Sequence, residues 1–221
     1  MSISLKNVFY TYRGKYQTVH AVNGVSYDFQ PGKLYAIIGK SGSGKTTLLS
    51  LMAGLDLPTE GEVIVQGRST RQWNRNAMRR EALSVIYQNY NLFPQLTVEE
   101  NILYPLELKR MPRQQALALA REVRSRVGLP ESYDKRLPAH LSGGEQQRVA
   151  IARTLAQGCK IILADEPTGN LDTANTKNVV EILKQLAHEE GCTVIIVTHD
   201  PSVAETADMV LQMRDGCCIT E

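Results

Sequence analysis

The chain has 221 residues, of which 43% are hydrophobic and 22% charged, and its formal net charge is +2. A chain of this size and composition buries enough apolar surface to fold as one globular domain without disulfides or structural metals. The nearly balanced charge lacks the basic stripe that is typical of nucleic-acid-binding proteins, so we expect no nucleic-acid partner. No apolar run approaches the roughly 18–20 residues that a membrane span needs, and Met1 to Ser4 begin no signal peptide, so we expect a soluble, cytoplasmic chain.

Two further groups of residues are interpreted as structural. The cysteines lack C-x-x-C spacing, and we expect reduced structural thiols at Cys159, Cys192, Cys217 and Cys218. The densest basic cluster is interpreted as a solvated helix face in preference to a binding patch, and it consists of Arg71, Arg75, Arg79 and Arg80.

The first part of the chain has the alternation that is typical of half-exposed antiparallel strands. Val25, Tyr27 and Phe29 alternate with polar residues. The segment around Ile3 and Leu5, the run from Val19 to Val22 and the segment from Glu62 to Gly67 have a similar character. The sequence therefore predicts an N-terminal antiparallel β subdomain.

A glycine-rich octet from Gly39 to Thr46 follows the apolar run Leu34 to Ile38 and precedes a helical pattern. It fits the phosphate-loop pattern G-x-x-x-x-G-K-[ST] with a strand before it and a helix after it. The octet and both flanks favour a phosphate site over a turn that only caps a helix. We expect backbone N–H groups to face phosphates, Lys45 to reach the β- and γ-phosphates, and the Thr46 hydroxyl to bind Mg²⁺. The nucleotide-binding residues predicted here are Gly39, Ser41, Gly42, Ser43, Gly44, Lys45, Thr46 and Thr47.

The remaining apolar runs are continuous, as is typical of buried parallel strands. They are Leu34 to Ile38, Leu83 to Tyr87, Ile161 to Ala164, Val194 to Val197 and Met209 to Met213. Helical patterns between several of them, such as Asp172 to Glu189, predict an α/β fold with a mostly parallel sheet. The segment of approximately residues 89–157 lacks this alternation of strands and helices. Helices are predicted from Pro112 to Val127 and after Ser142, and the segment is interpreted as an inserted helical subdomain.

Polar side chains follow three of these strands, where ligands of parallel sheets bind. Asp165 is suited to hold Mg²⁺ opposite Thr46, and Glu166 is the better candidate for a general base. Gln88 could bridge water and metal, and His199 could bond the γ-phosphate. A single histidine or glutamine at a strand end is more often structural, and their joint placement favours a catalytic site.

The segment from Leu141 to Arg148 contains a second candidate anion site. Ser142 and Glu145 have the spacing of a capping box that begins a helix. Gly143 and Gly144 leave bare N–H groups at that helix N-terminus, where the helix dipole also favours an anion. The sequence thus predicts two phosphate-binding surfaces in one chain.

Together these motifs resemble the ATP-binding cassette (ABC) family over nearly the whole chain. Leu141 to Glu145 is similar to the family's signature motif, and the order phosphate loop, signature, Asp165-Glu166 and His199 is specific to it. By this resemblance Gln88 is the Q-loop residue, Asn170 to Asp172 the D-loop, and His199 the switch histidine. Tyr12 lies where the family places an aromatic residue that stacks on adenine, although Tyr10 and Tyr16 are close enough to serve instead.

The resemblance implies a P-loop NTPase fold, in which residues 1–221 form a single nucleotide-binding domain. It implies ATP and Mg²⁺ as cofactors and a head-to-tail dimer, either a homodimer or a paired cassette, that forms on ATP. ATP on one phosphate loop would be covered by the partner's signature segment, and the residues assigned to this role are Ser142, Gly143, Gly144 and Glu145, together with Asp172 of the D-loop. Asn89 to Pro94 would contact a transmembrane permease, unless Tyr90, Leu92 and Phe93 pack inside the helical subdomain.

The expected function is an ATPase subunit that powers a separately encoded permease, bound peripherally at the inner face of the cell membrane. Ile162 to Asp172 and Leu96 to Ile102 most resemble the subgroup for lipoprotein release, macrolide export, antimicrobial-peptide resistance and cell division. An alternative is an ATP-driven mechanical or signalling module that acts on a membrane partner without transport. The cassettes of DNA repair and translation would need a coiled-coil insert or a second cassette, and neither is present. Tyr87 and Asn89 differ from the residues that are commoner beside Gln88 in the family. The route of the transported substrate therefore stays undetermined at this point.

Overall fold

The computed structural model describes residues 2–15 and 17–220. The strands in this part of the chain are β1 (Ile3–Arg13), β2 (Thr18–Phe29), β3 (Lys33–Ile38), β4 (Glu60–Val65), β5 (Arg68–Ser69), β6 (Leu83–Ile86), β7 (Ile161–Asp165), β8 (Thr193–Thr198), β9 (Met209–Arg214) and β10 (Cys217–Thr220). The α-helices are α1 (Lys45–Met52), α2 (Arg75–Glu81), α3 (Val98–Leu108), α4 (Arg113–Arg126), α5 (Gly143–Gln157), α6 (Thr173–His188) and α7 (Pro201–Ala204).

Two sheets organise the molecule. The smaller is antiparallel in the order β2-β1-β4-β5, and the larger has the order β10-β9-β3-β8-β7-β6. In the larger sheet all neighbouring strands are parallel except β9 and β10, which form an antiparallel hairpin at the edge. The fold is therefore the predicted P-loop NTPase architecture with an N-terminal antiparallel β subdomain.

The apolar runs are continuous because the central strands are buried on both faces. Alternate residues of β8 enter two different cores: Val194 and Ile196 pack with the helical side, while Ile195 and Val197 pack with the β subdomain and α1. In β2 only one face is buried, since Val25 and Phe29 are buried whereas Ser26 and Asp28 are exposed. The two periodicities of the sequence thus reflect two-sided and one-sided burial.

Helices α3, α4 and α5 pack against one another as the inserted helical subdomain. Helix α3 was not predicted, because Pro105 lies inside it and proline normally ends a helix. A capping box between Thr97 and Glu100 begins α3. Asn101, which is fully buried, donates to the carbonyls of Phe93, Leu96 and Thr97 and so fixes the preceding loop.

Arg71, Arg75 and Arg80 of the arginine cluster are exposed and Arg79 is half-buried, which agrees with the predicted solvated face, and three of these side chains also bond backbone carbonyls. Arg71 lies before α2, and Arg71, Arg75 and Arg79 donate to the carbonyls of Pro58, Leu55 and Gly54 respectively. These arginines therefore tie α2 and its N-terminal flank to the loop that follows α1. Among the described helices, none has both the length and the apolar character that crossing a bilayer requires.

Candidate active site

The phosphate loop connects β3 to α1 at the carboxyl end of the parallel strands. Gly44 is the N-cap of α1, with a left-handed φ of 99°. A Cβ atom on Gly44 would overlap the carbonyl oxygen of Ala21, and one on Gly39 would overlap that of Met213. The two glycines are required because neighbouring backbone approaches the loop closely.

Lys45 is the first residue of α1, and its side chain is folded back over the loop. Its Nζ donates to the carbonyl of Gly39 at 2.7 Å and to that of Lys40 at 3.0 Å. The residue is 7% exposed. The ammonium group is therefore held by loop carbonyls, inside the curve where the sequence predicts phosphates.

A cleft of about 660 Å³ lies in front of the loop. It unites residues from distant parts of the chain: Tyr12, Val19, Ala21, Ser41, Gly42, Gly44, Lys45, Thr46, Thr47, Gln88, Glu166 and His199. Most of the predicted site residues share this one cavity. The predicted site residues that do not line it are Gly39, Ser43, Ser142, Gly143, Gly144, Glu145, Asp165 and Asp172.

Asp165, the last residue of β7, lies next to Thr46. The Thr46 hydroxyl donates to Asp165 Oδ1 at 3.3 Å. Burial and, to a smaller extent, the neighbouring Glu166 raise the pKa of Asp165. The hydrogen bond from Thr46 and the charge of Lys45 lower it, and the net effect is a raised pKa. A carboxylate that is unfavourably buried in this way gains from a nearby cation.

Glu166 and His199 form a hydrogen-bonded pair beside Asp165. His199 Nδ1 lies 2.9 Å from Glu166 Oε1, and the side chains are 68% and 16% exposed respectively. Glu166 has a φ of 47°, in the left-handed region that side chains rarely occupy. Its N–H donates to Val197 at 2.9 Å, and its carbonyl accepts from Gly169 at 3.1 Å, so local hydrogen bonds hold the strained backbone.

Tyr12 lies at the open side of the cleft. Its hydroxyl is 3.3 Å from Thr47 Oγ1, and the residue is 46% exposed. Tyr10 does not line the cleft and instead packs edge-on against Tyr12 at 4.9 Å, while Tyr16 lies outside the described residues. Val19 lines the cleft but is not among the predicted site residues. It pairs with Tyr12 across β1 and β2, and this strand register is the one sequence feature that could have indicated its place in the site.

Gln88 follows β6 at the cleft and is exposed. Asn170 Nδ2 donates to the Gln88 carbonyl at 3.2 Å. A Cβ atom on Gly169 would lie 3.0 Å from Gln88 Nε2. The segment after Glu166 therefore packs directly on Gln88.

The signature segment begins α5, outside the cleft. The Ser142 side chain accepts from the Glu145 N–H, and Glu145 Oε2 accepts from the Ser142 N–H at 2.7 Å, which completes the predicted capping box. Tyr133 donates to Glu145 Oε1 at 2.9 Å, so both carboxylate oxygens have partners. Burial opposes ionisation of Glu145, but its hydrogen bonds with Ser142 and Tyr133 outweigh it and lower the pKa.

Close packing accounts for the two signature glycines. A Cβ atom on Gly143 would lie 2.8 Å from the Tyr90 hydroxyl, and one on Gly144 would overlap the side chain of Asn175. Asn175, which the sequence reasoning missed, donates to Asp172 at 2.8 Å and accepts from Arg148 at 3.0 Å. Asp172 thereby caps α6 and is connected to α5 through Asn175.

A second cavity, of about 430 Å³, is called here the lateral groove. It is lined by Arg79, Arg80, Val85, Tyr87, Asn91, Phe93, Tyr104, Pro105, Leu108, Arg153, Thr154 and Gln157. Phe93 is 38% exposed and packs on Tyr104 at 4.4 Å, whereas Leu92 packs against the core of the helical side. The segment from Asn89 to Pro94 was expected either to contact a permease or to pack inside the helical subdomain. The exposed position of Phe93 in the groove fits the first alternative, and the internal packing of Leu92 fits the second.

The parallel sheet with a phosphate loop at its carboxyl edge defines a P-loop NTPase domain. The family model for ABC transporters matches residues 22–169. An uncharacterized ABC transporter ATP-binding protein of Mycobacterium tuberculosis is 40% identical over 217 residues, which are 97% of this chain and 87% of that protein. The chain belongs to the ABC transporter family and is an ATPase domain of that family.

Further similarities connect the chain to an exporter and to solved cassettes. The macrolide export ATP-binding/permease protein MacB of Escherichia coli is 43% identical over 217 residues, which are 97% of this chain and 33% of MacB. The chain thus spans about a third of MacB. The dimeric structure of MJ0796, a bacterial ABC transporter cassette, is 39% identical with a TM-score of 0.91, and the match covers 98% of this chain and 96% of that one. A dimeric post-hydrolysis state of MJ0796 bound to ADP and Pi matches with 38% identity and a TM-score of 0.90, over 98% of this chain and 96% of that one.

Proposed function

We propose that this chain binds ATP in the cleft and hydrolyses it with Mg²⁺ as one half of a head-to-tail pair, and that the pair powers a separately encoded membrane permease. One observation carries the proposal. The cleft unites the phosphate loop with Glu166 and His199, while the glycine-bare N-terminus of α5 lies outside it. A second copy that brings its Ser142, Gly143 and Gly144 over the cleft would complete the site.

In the binding step, the backbone N–H groups of the loop and the N-terminus of α1 take the phosphates. Lys45 Nζ leaves the carbonyls of Gly39 and Lys40 for the β- and γ-phosphate oxygens. The exposed ring of Tyr12 offers a face for adenine, and Val19 and Ala21 border the same end of the cleft. ATP therefore spans from Tyr12 to Lys45.

The residues beside the loop fit a magnesium ion. Mg²⁺ prefers oxygen ligands, and the candidate donors are the Thr46 hydroxyl, the Asp165 carboxylate and the Gln88 amide oxygen. The existing contact between Thr46 and Asp165 and the unfavourable burial of Asp165 both support this assignment. When bound, the ion would neutralise charge on the phosphates.

In the hydrolytic step, Glu166 acts as the general base that draws a proton from the attacking water. His199 orients the Glu166 carboxylate through their hydrogen bond and, being exposed, is free to bond the γ-phosphate. Gln88 is positioned to orient the water. The partner's α5 N-terminus would stabilise the phosphate charge and exclude solvent.

The permease partner is supported by the lateral groove and by the relative MacB. The groove is lined by exposed apolar side chains, Phe93, Tyr104 and Leu108, and by three arginines. Such a surface suits a short segment of a membrane protein. The relative MacB, a macrolide export ATP-binding/permease protein, supports an exporter-type system, and we infer that this chain acts at the inner face of the cell membrane. A pair of identical chains or a paired cassette would both complete the site.

The catalytic assignment is tested by Glu166→Gln. The variant should lose ATP turnover by roughly 10²-fold or more and accumulate as an ATP-dependent dimer in size-exclusion chromatography. Glu181→Gln, an exposed change on α6, is the matched control and should behave as wild type. Unchanged turnover in Glu166→Gln would refute the assignment.

The docking surface is tested by a matched pair of charge insertions. Leu108 and Ile219 are exposed to almost the same extent, 50% and 49%, but only Leu108 lines the groove. Leu108→Asp should abolish co-purification with the co-expressed permease, and Ile219→Asp should retain it. Equal retention by both variants would argue against the groove.

The alternative function, a mechanical or signalling module without transport, shares the same ATP site. The two are separated by assaying ATP-dependent transport in vesicles that contain the permease complex. Transport that the Glu166→Gln variant abolishes supports the first function. ATP-dependent change in the partner with no transported compound supports the second.

A further inference from the structure

The edge hairpin formed by β9 and β10 contacts the phosphate loop directly. Its two-residue turn consists of Asp215 and Gly216, with φ values of 49° and 81°. The Gly216 N–H donates to the carbonyl of Ser43 at 3.1 Å. This hydrogen bond joins the hairpin to the centre of the phosphate loop, which lies about 170 residues earlier in the sequence.

The turn is itself fixed on its other side by β2. The Asn23 N–H donates to the Gly216 carbonyl at 2.8 Å, and Asn23 Nδ2 donates to the Asp215 carbonyl at 2.8 Å. Asn23 lies on β2, close to the Ala21 that borders the cleft. The turn is therefore clamped between the phosphate loop and the β subdomain.

The geometry of the peptide bond gives this contact a consequence for binding. The peptide between Ser43 and Gly44 is trans, so the Ser43 carbonyl and the Gly44 N–H point in opposite directions. Because the Ser43 carbonyl faces the Gly216 N–H, the Gly44 N–H is directed away from the hairpin. Gly44 lines the cleft, where an inward N–H is a donor for phosphate.

We propose that the turn formed by Asp215 and Gly216 is a positioning element that presets the Gly44 N–H for phosphate binding. Without this hydrogen bond the peptide can rotate, and ordering it again would oppose nucleotide binding. Gly216 acts through Ser43 and does not touch the nucleotide. The inference rests on the proposed binding of nucleotide at the phosphate loop.

The chain contains a matched control for this turn. The turn between β4 and β5 consists of Gln66 and Gly67, with φ values of 50° and 79°, which are nearly those of Asp215 and Gly216. A Cβ atom on Gly67 would have no heavy atom within 4 Å, whereas one on Gly216 would lie 2.7 Å from Asn23 Nδ2 and 3.1 Å from the Ala21 carbonyl. Alanine at either site is strained at positive φ, but only at Gly216 does the added methyl group meet Asn23 and Ala21 of β2 and so disturb the turn that bonds Ser43.

The test compares Gly216→Ala, Gly67→Ala and wild type in calorimetric titrations with ADP and in steady-state turnover of ATP. We expect Gly216→Ala to weaken ADP binding and raise KM by about 3- to 10-fold, with kcat nearly unchanged, because roughly one oriented donor is lost. Gly67→Ala should lower Tm but bind ADP as wild type does. Equal ADP affinity in the two variants, or a fall in kcat alone, would overturn the proposal.

A second variant keeps the test decisive if Gly216→Ala does not fold. Asn23→Ala removes the side-chain bond to Asp215 without straining the backbone, and it should weaken ADP binding by about twofold. Wild-type affinity in Asn23→Ala would then contradict the proposal. Failure of the wild-type protein to bind ADP would instead refute the proposed nucleotide site itself, so the two failures are distinguishable.

Discussion

At the scale of single residues, internal hydrogen bonds hold the main groups of the cleft in place. Lys45 is bound by the carbonyls of Gly39 and Lys40, Thr46 by Asp165, and Glu166 by His199. Each of these partners is one that a bound nucleotide, metal ion or water would replace or share. In the proposed binding mode, these internal contacts are exchanged for contacts with the ligand.

Tyr12 provides a prediction at this scale. Tyr12→Ala should weaken ATP binding by about fivefold, because stacking on a half-exposed ring contributes roughly 1 kcal/mol. Tyr12→Phe keeps the ring and loses only the contact with Thr47, and should bind nearly as wild type does. Titration with ATP checks both variants. Similar losses in the two variants would indicate that the hydroxyl, and not the ring, is responsible.

The residues that could be predicted are those whose role is indicated by a local sequence motif. The octet from Gly39 to Thr46 carries its own strand, turn and helix signals, and Ser142 and Glu145 carry a capping pattern. Asn175 and Gly216 could not be predicted, because each acts through a contact with a segment distant in sequence. Val19 falls between these cases, since only its register opposite Tyr12 points to the cleft.

At the scale of elements, two helices begin with the same capping box but in different surroundings. Thr97 and Glu100 begin α3, and Ser142 and Glu145 begin α5. Thr97→Ala and Ser142→Ala should each lower the free energy of unfolding by about 1 kcal/mol, as measured in urea. In a Glu166→Gln background, only Ser142→Ala should also weaken the ATP-dependent dimer. Equal dimerisation in the two variants would place the signature serine outside the subunit interface.

A second prediction concerns Asp208, which connects the C-terminus of α6 to β3 and β9. Its carboxylate accepts from the Leu34 N–H at 2.7 Å and lies 2.9 Å from His188 Nε2. Burial opposes ionisation of Asp208, but the hydrogen bonds from His188 and Leu34 outweigh it and lower its pKa.

Because the pKa of Asp208 is lower in the folded state than in the unfolded state, the ionised carboxylate stabilises the fold above its ordinary pKa. This contribution is lost as the pH falls through the lowered value. Asp208→Asn should therefore cost about 1 kcal/mol at neutral pH, and the difference from wild type should shrink in acid. Urea unfolding over a pH series measures it, and a difference independent of pH would contradict the role of the charge.

The elements were predictable where their periodicity was clear. The buried parallel strands and helices α4, α5 and α6 follow from continuous or 3.6-residue apolar patterns. Helix α3 was missed because Pro105 signals a break, which the capping box and the anchoring by Asn101 overcome. Strand β10 is too short, and too rich in cysteine, to give a clear pattern.

At the scale of the whole molecule, the sequence predicts two anion-binding surfaces in one chain, and only one of them borders the cleft. The phosphate loop lines the cleft with Glu166, and the N-terminus of α5 is presented elsewhere, packed by Tyr90 and Asn175. The relative MJ0796 forms a dimer in both of its matched structures. We therefore expect the isolated chain to bind ATP as a monomer but to hydrolyse it efficiently only as a pair.

The need for a pair is measured by the turnover of ATP per subunit as a function of protein concentration. We expect low turnover at high dilution, a rise with concentration as pairs form, and no rise for Ser142→Ala over the same range. Binding of ATP at high dilution should remain and should depend on Lys45. Full turnover per subunit from a monomer at high dilution would show that hydrolysis does not need a second subunit.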